Sequence, residues 1–183
     1  VFAKYVRVNP LTWNNYICMR LGVIVEPEPM ISDGLVLRLD AANSNSYPGT
    51  GTTWNDLSGN ASHVALTSTS YSPAVGGSIV FNGTSSFANF NANIGSTNTV
   101  TVDMWVKTNS LNAPNGSMYF GFGLYDVWTK GGNIGFNTSG GDLYGLMSTR
   151  VENLEIEGAW KHLVFVMNSG AITNNKIYVN GVN

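Results

Sequence analysis

With 183 residues, the chain is long enough to bury a sizeable core as one large domain or one and a half ordinary ones. Only 11% of it is charged against 43% apolar, and its nine basic residues are scattered singly around a net charge of −2, so no basic stripe can neutralise a phosphate backbone and nucleic acid is not an expected partner. No apolar run approaches the ~20 residues that cross a bilayer, so membrane insertion is not expected, and Cys18, the single cysteine, excludes an internal disulfide framework and a cysteine-based zinc site.

Residues 2–8 alternate in the β manner, Asn9-Pro10 breaks that strand, and residues 16–25 form a second run rich in β-formers. Two strands are too few to stand alone. The series Ala3-Lys-Tyr-Val-Arg-Val-Asn-Pro-Leu-Thr-Trp13, then Ile17-Cys-Met-Arg20 and Gly22-Val-Ile, resembles the closing strands of a discoidin (coagulation factor 5/8 type C) domain. The resemblance implies a β remnant over 1–25, in which Arg7, Trp13 and Arg20 are core and corner residues. Residues 26–32 follow as a linker, because Glu26-Pro-Glu-Pro29 cannot pair into a sheet and favours an extended spacer. The chain is therefore expected to be a piece of a longer polypeptide.

From Gly34 onward no ten-residue stretch has a helical period. Strand candidates separated by turn signals recur at 35–40, 62–67, 78–82, 87–91, 99–108, 117–126, 132–137, 142–148, 160–168 and 175–179. This spacing predicts an all-β fold, an antiparallel two-sheet sandwich over 33–183. In 99–107, Val100, Val102, Met104 and Val106 form the core face, with Thr101, Asp103, Trp105 and Lys107 opposite. Residues 160–167 are apolar on both faces beyond Lys161, which predicts a central, doubly covered strand. Asn82-Gly83 and Asn180-Gly181 are hairpin pairs, since both residue types tolerate positive φ.

Six pieces occur in order: Gly34-Leu-Val-Leu-Arg-Leu-Asp-Ala41, Trp54-Asn-Asp-Leu-Ser-Gly-Asn60, Gly77-Ser-Ile-Val-Phe-Asn-Gly83, Val100-Thr-Val-Asp-Met-Trp105, Trp160-Lys-His-Leu-Val164 and Lys176-Ile-Tyr-Val-Asn-Gly181. Together they are similar to the laminin-G-like, concanavalin A-like jelly-roll domains. The resemblance implies a jelly roll, incomplete at its C-terminal end, that recognises glycans outside the cell. It also implies a calcium ion held at the rim by hard oxygen ligands, for which Asp40, Asp56 and Asn60 are the candidates. Turn-stabilising Asx hydrogen bonds explain the same three residues without a metal.

Carbohydrate binding needs aromatic faces beside planar polar groups. Tyr125, Asp126 and Trp128 combine both in 125–130, read as a loop, and Tyr47 and Trp54 flank the Gly-rich loop 43–54. Glu155 and Glu157 have the spacing of two that places carboxylates on one side of a strand. They read as solvated acids, and no motif of a nucleophile, phosphate loop or zinc site accompanies His63 or His162. The expected function is thus non-catalytic adhesion. Loop 43–54 resembles a variant found in bacteriophage and other viral structural proteins, which favours a multimeric virion surface component, such as a tail fibre, contacting glycans or other virion and extracellular proteins. A secreted carbohydrate-binding module is the alternative.

Overall fold

The computed structural model describes residues 32–92, 99–111, 116–122, 125–130, 133–138, 141–143, 156–168 and 172–182. The chain divides into two compact units, 1–33 and 34–183. The discoidin-like reading of 1–25, with Arg7, Trp13 and Arg20, lies outside the described residues.

Twelve short strands and two single-turn 3₁₀ helices make up the described part of the second unit. The strands are β1 (Thr53–Trp54), β2 (Val64–Thr67), β3 (Ser70–Ser72), β4 (Ser78–Val80), β5 (Phe87–Asn89), β6 (Thr99–Lys107), β7 (Ser117–Phe122), β8 (Tyr125–Lys130), β9 (Asn133–Thr138), β10 (Gly141–Leu143), β11 (Trp160–Asn168) and β12 (Lys176–Val179). They assemble into antiparallel sheets ordered β1-β2-β5, β10-β9-β8-β7 and β12-β11-β6, plus the hairpin β3-β4. The all-β sandwich expected from the spacing of strands and turns is what forms.

The two larger sheets pack face to face. Inward residues of β8 and β9, Val127, Ile134 and Phe136, meet Leu163, Phe165, Met167, Ile177 and Val179 from β11 and β12 in one cluster. Phe165, fully buried, sits edge-on to Phe120 and Phe136 with ring centroids 5.3 and 6.3 Å apart. Such pairs add to the area term because the positive ring edge meets a negative ring face. The period-two pattern of 99–107 places Val100, Val102, Met104 and Val106 against this core, as expected. β11 is central, flanked by β12 and β6. Its second face is only half covered, with Val164 and Val166 partly exposed.

A smaller core holds Tyr47, Val64 and Leu66, with Leu37, Leu39, Trp54, Tyr71, Ile79 and Ala88 around it. Here the sequence pattern misleads in one respect: residues 35–40 are extended but join no ladder. Side chains satisfy their main chain instead. Asn60 Nδ2 donates to the carbonyls of Leu35 and Val36, and the Arg38 N–H donates to Asp56. Leu37 and Leu39 pack against the smaller core all the same, with side chains as main-chain partners.

The turns also divide. Asn180 (φ 50°) and Gly181 (φ 79°) form a two-residue turn closed by reciprocal N–H···O bonds between Val179 and Val182, the geometry that the Asn-Gly pair predicts. Asn82 has no positive φ. Its Oδ1 accepts the N–H groups of Thr84, Ser85 and Ser86, building an Asx loop in place of a tight hairpin.

Candidate functional site

Of the residues proposed for calcium, Asn60 is linked to Asp56 through the Ser58 hydroxyl, whereas the Asp40 carboxylate is bonded separately, to the Ala42 N–H. Asp56 Oδ1 accepts from the N–H groups of Arg38 (2.9 Å) and Ser58 (2.8 Å); its Oδ2 accepts from Ser58 Oγ (2.7 Å) and the Ser62 N–H (3.1 Å). Desolvation by burial alone would raise its pKa, but the hydrogen bonds from the Ser58 hydroxyl and the N–H groups of Arg38, Ser58 and Ser62 outweigh it and hold the pKa at about 2 instead of 3.8. The Asp56 N–H donates to His63 Nδ1, 3.1 Å away.

Asp40 Oδ1 accepts from the Ala42 N–H, and Asn60 presents its NH₂ end to two carbonyls. This arrangement does not fit a calcium ion, which needs six or more oxygen ligands converging on one point. Asp56 has given its lone pairs to protein donors, Asn60 turns a donor group inward, and no group of three or more His, Cys, Asp or Glu residues able to hold a metal occurs among the described residues. What the hub can do is mechanical, since it ties the extended segment 35–40 to the turn 56–62.

The aromatics flanking the loop 43–54 are also structural. Tyr47 is only 5% exposed, its hydroxyl donates to the Gly51 carbonyl, and its ring packs against Tyr71 at 5.5 Å. It closes its own loop and offers no free face. Buried Ser46 beside it, unremarked in the sequence, donates to the Asn55 carbonyl and accepts from the Asp40 N–H. Trp54 packs into the smaller core with its Nε1 buried and unpartnered. Of the two glutamates considered for catalysis, Glu155 lies outside the described residues. Glu157 accepts from the Leu111 N–H beside Tyr119, whose pKa is pushed up by burial and by this carboxylate.

The remaining three candidates separate by strand register. Along β8, Val127 and Thr129 face the core. Asp126 and Trp128 therefore occupy the outer face; Tyr125 opens the strand, and its side chain lies outside what is described. Across the sheet, Asp126 pairs with Gly121 and Asn137, and Trp128 pairs with Met118 and Gly135. Glycines thus stand beside both side chains.

Gly121 has a packing reason: a Cβ there would lie 2.8 Å from Met118 Sδ and 3.0 Å from Asp126 Cβ. Asp126 Oδ1 and Trp128 Nε1 are both buried and both lack a hydrogen-bond partner. An unused acceptor and an unused donor two residues apart on one outward face are unusual, because burying either without a partner is costly.

A second constellation occupies the outer face of the other sheet. His162 Nε2 lies 3.0 Å from both oxygens of Asp103, and its ring stacks beneath Trp105 at 5.3 Å. Trp105 is 67% exposed. The alternation of 99–107 placed Asp103 and Trp105 outward. Their link to His162 is visible only through the register that pairs Trp105 with His162.

A family model described as the concanavalin A-like lectin/glucanases superfamily matches residues 81–183. This is more than half of the chain, and the protein belongs to that superfamily, whose members are lectin-like binding domains and glycan hydrolases. The matched region contains β5 to β12, and with them both outward faces. No curated protein and no solved structure matches the chain.

Proposed function

We propose that the domain is a non-catalytic glycan-recognition module and that the outer face of β7–β9, centred on Asp126 and Trp128, is its contact surface. The observation that carries this is the outward Trp128 ring paired across the sheet with the exposed Met118 thioether, an apolar platform beside Gly121 and Gly135. The indole and the Met118 thioether supply the apolar surface on which a C–H face rests. Superfamily membership supports the ligand class.

The same reading places the protein outside the cell or on a virion surface, in line with the resemblance of the loop 43–54 to viral structural proteins. There, many weak copies in a multimeric assembly gain by avidity. The test is a glycan array with the intact protein, followed by calorimetric titration of the hits. Trp128→Phe removes part of the apolar platform together with the indole N–H and should weaken binding by at least about fivefold, about 1 kcal/mol. Equal affinity for wild type and variant would remove Trp128 from the site, and release of reducing ends from a bound glycan would replace the reading with hydrolysis.

A further inference from the structure

We infer that the outer face of β6 and β11 is a second sugar-stacking site, built on Trp105 and flanked by Asp103 and Lys107. It goes beyond the site proposed on β7–β9 and does not rest on it. The Trp105 side chain is 67% exposed, so a ligand reaches it directly. One side of its ring is held by His162, with centroids 5.3 Å apart and an interplanar angle of 28°. His162 is fixed in turn, by Asp103 at Nε2 and by Asn180 Oδ1 at the main-chain N–H. An indole held in place beforehand loses less rotamer freedom on binding. Its open side is a surface on which the C–H face of a pyranose can stack.

Polar groups flank that surface at the spacing of a sugar ring. The outward residues of β6 run Thr101, Asp103, Trp105, Lys107, all exposed. Residues two apart stand ~6.8 Å from one another along a strand, so Asp103 and Lys107 lie on either side of the indole. The Asp103 side chain is 62% exposed, and the imidazole N–H leaves lone pairs of its carboxylate to solvent. Asp103 accepts and Lys107 donates, which suits hydroxyls, since each does both. A stacked sugar would replace the water that serves these groups in the free protein.

The same residues argue against the other guests of an exposed tryptophan. A cation drawn to the indole face would meet the ammonium of Lys107 beside it. A protein partner needs more apolar surface: among the described residues of β6, β11 and β12, Trp105 is the single exposed large apolar side chain. One indole offers ~200 Å² against the ~800 Å² per partner that a stable protein interface buries. Because the two larger sheets pack face to face, the Trp105 site points away from Trp128, and one domain would hold two sugars at once.

The test is a heteronuclear NMR titration of the intact protein with neutral oligosaccharides of glucose, galactose, mannose and N-acetylglucosamine, following the five indole N–H signals. The expected result is that the Trp105 indole and the His162 amide shift together, with a dissociation constant on the order of 1 mM. In Trp105→Ala the His162 shift should need at least about tenfold more sugar, with circular dichroism checking that the sheet is kept. Movement of the Trp128 signal without that of Trp105 overturns the second site and leaves the first. Movement of Trp105 alone supports the second site and removes the first. A Trp105 signal that responds to tetramethylammonium and not to sugar overturns the ligand class, and no response of either indole to sugar overturns both sites.

Discussion

Replacing Asp56 tests the account of how the opening segment is held. Asp56→Ala removes the acceptor of four hydrogen bonds, from the N–H groups of Arg38, Ser58 and Ser62 and from the Ser58 hydroxyl, at a residue only 8% exposed. With several donors stranded, the expected loss is about 3 kcal/mol. The pKa supplies an independent figure, since a fall from 3.8 to about 2 on folding corresponds to about 2.5 kcal/mol of stability carried by the ionised form.

The sign follows from the depressed value: the contribution is complete above the unfolded pKa and disappears as pH falls through the folded one. About 1 kcal/mol of it is gone by pH 3. Urea denaturation of wild type and Asp56→Asn between pH 7 and pH 3 reads this out, the variant being the neutral isostere. The gap between the two proteins should be widest at pH 7 and narrow as the solution is acidified. A gap that does not change with pH, or one below about 0.5 kcal/mol at pH 7, refutes the hub as the anchor of residues 35–40.

Four further outcomes follow from single positions. Phe165→Ala, at the meeting point of Phe120 and Phe136, should cost about 3–5 kcal/mol in thermal or urea unfolding. Gly77→Ala should cost about 2 kcal/mol in the same assay, because φ is 134° and a Cβ would lie 2.6 Å from the Ala41 carbonyl oxygen and 2.7 Å from the Tyr71 hydroxyl. His162→Ala breaks the contact with Asp103 on an exposed face, and a double-mutant cycle between the two should give about 0.5 kcal/mol at low salt and less at high salt. Asp126→Ala should leave the free protein as stable as wild type or raise its melting temperature, because it deletes an acceptor that nothing in the protein satisfies.

Strand periodicity was legible wherever one face meets the main core. In β6 every second side chain is apolar, and in β11 the run from Leu163 to Met167 marks the centre of its sheet. The Asn180-Gly181 turn was equally plain, since few residue pairs accept two successive positive φ values. The strands β1 and β3 were missed because two or three residues cannot display a period, and 125–130, expected as a loop, forms β8, a strand separate from β7.

Residues 35–40 carried a strand pattern without a strand's ladder, because Asn60 and Asp56 reach their backbone first. Composition alone could not separate those side chains from metal ligands, as both uses need oxygen-bearing residues in a Gly-rich turn. Tyr47 had the look of a loop aromatic open to ligand, and only the Gly51 carbonyl and Tyr71 explain its burial.

The two outward faces of the sandwich can be ranked by hydrogen-bond satisfaction. On the β6–β11 face, Asp103 directs both oxygens at His162, His162 stacks beneath Trp105, and the His162 N–H is taken by Asn180 Oδ1. That group is complete in itself, and its exposed indole sits at a surface where solvent meets every remaining need. On the β8 face, Asp126 Oδ1 and Trp128 Nε1 are removed from solvent without being paired. Each unmet group costs free energy of order 1–3 kcal/mol in the free protein.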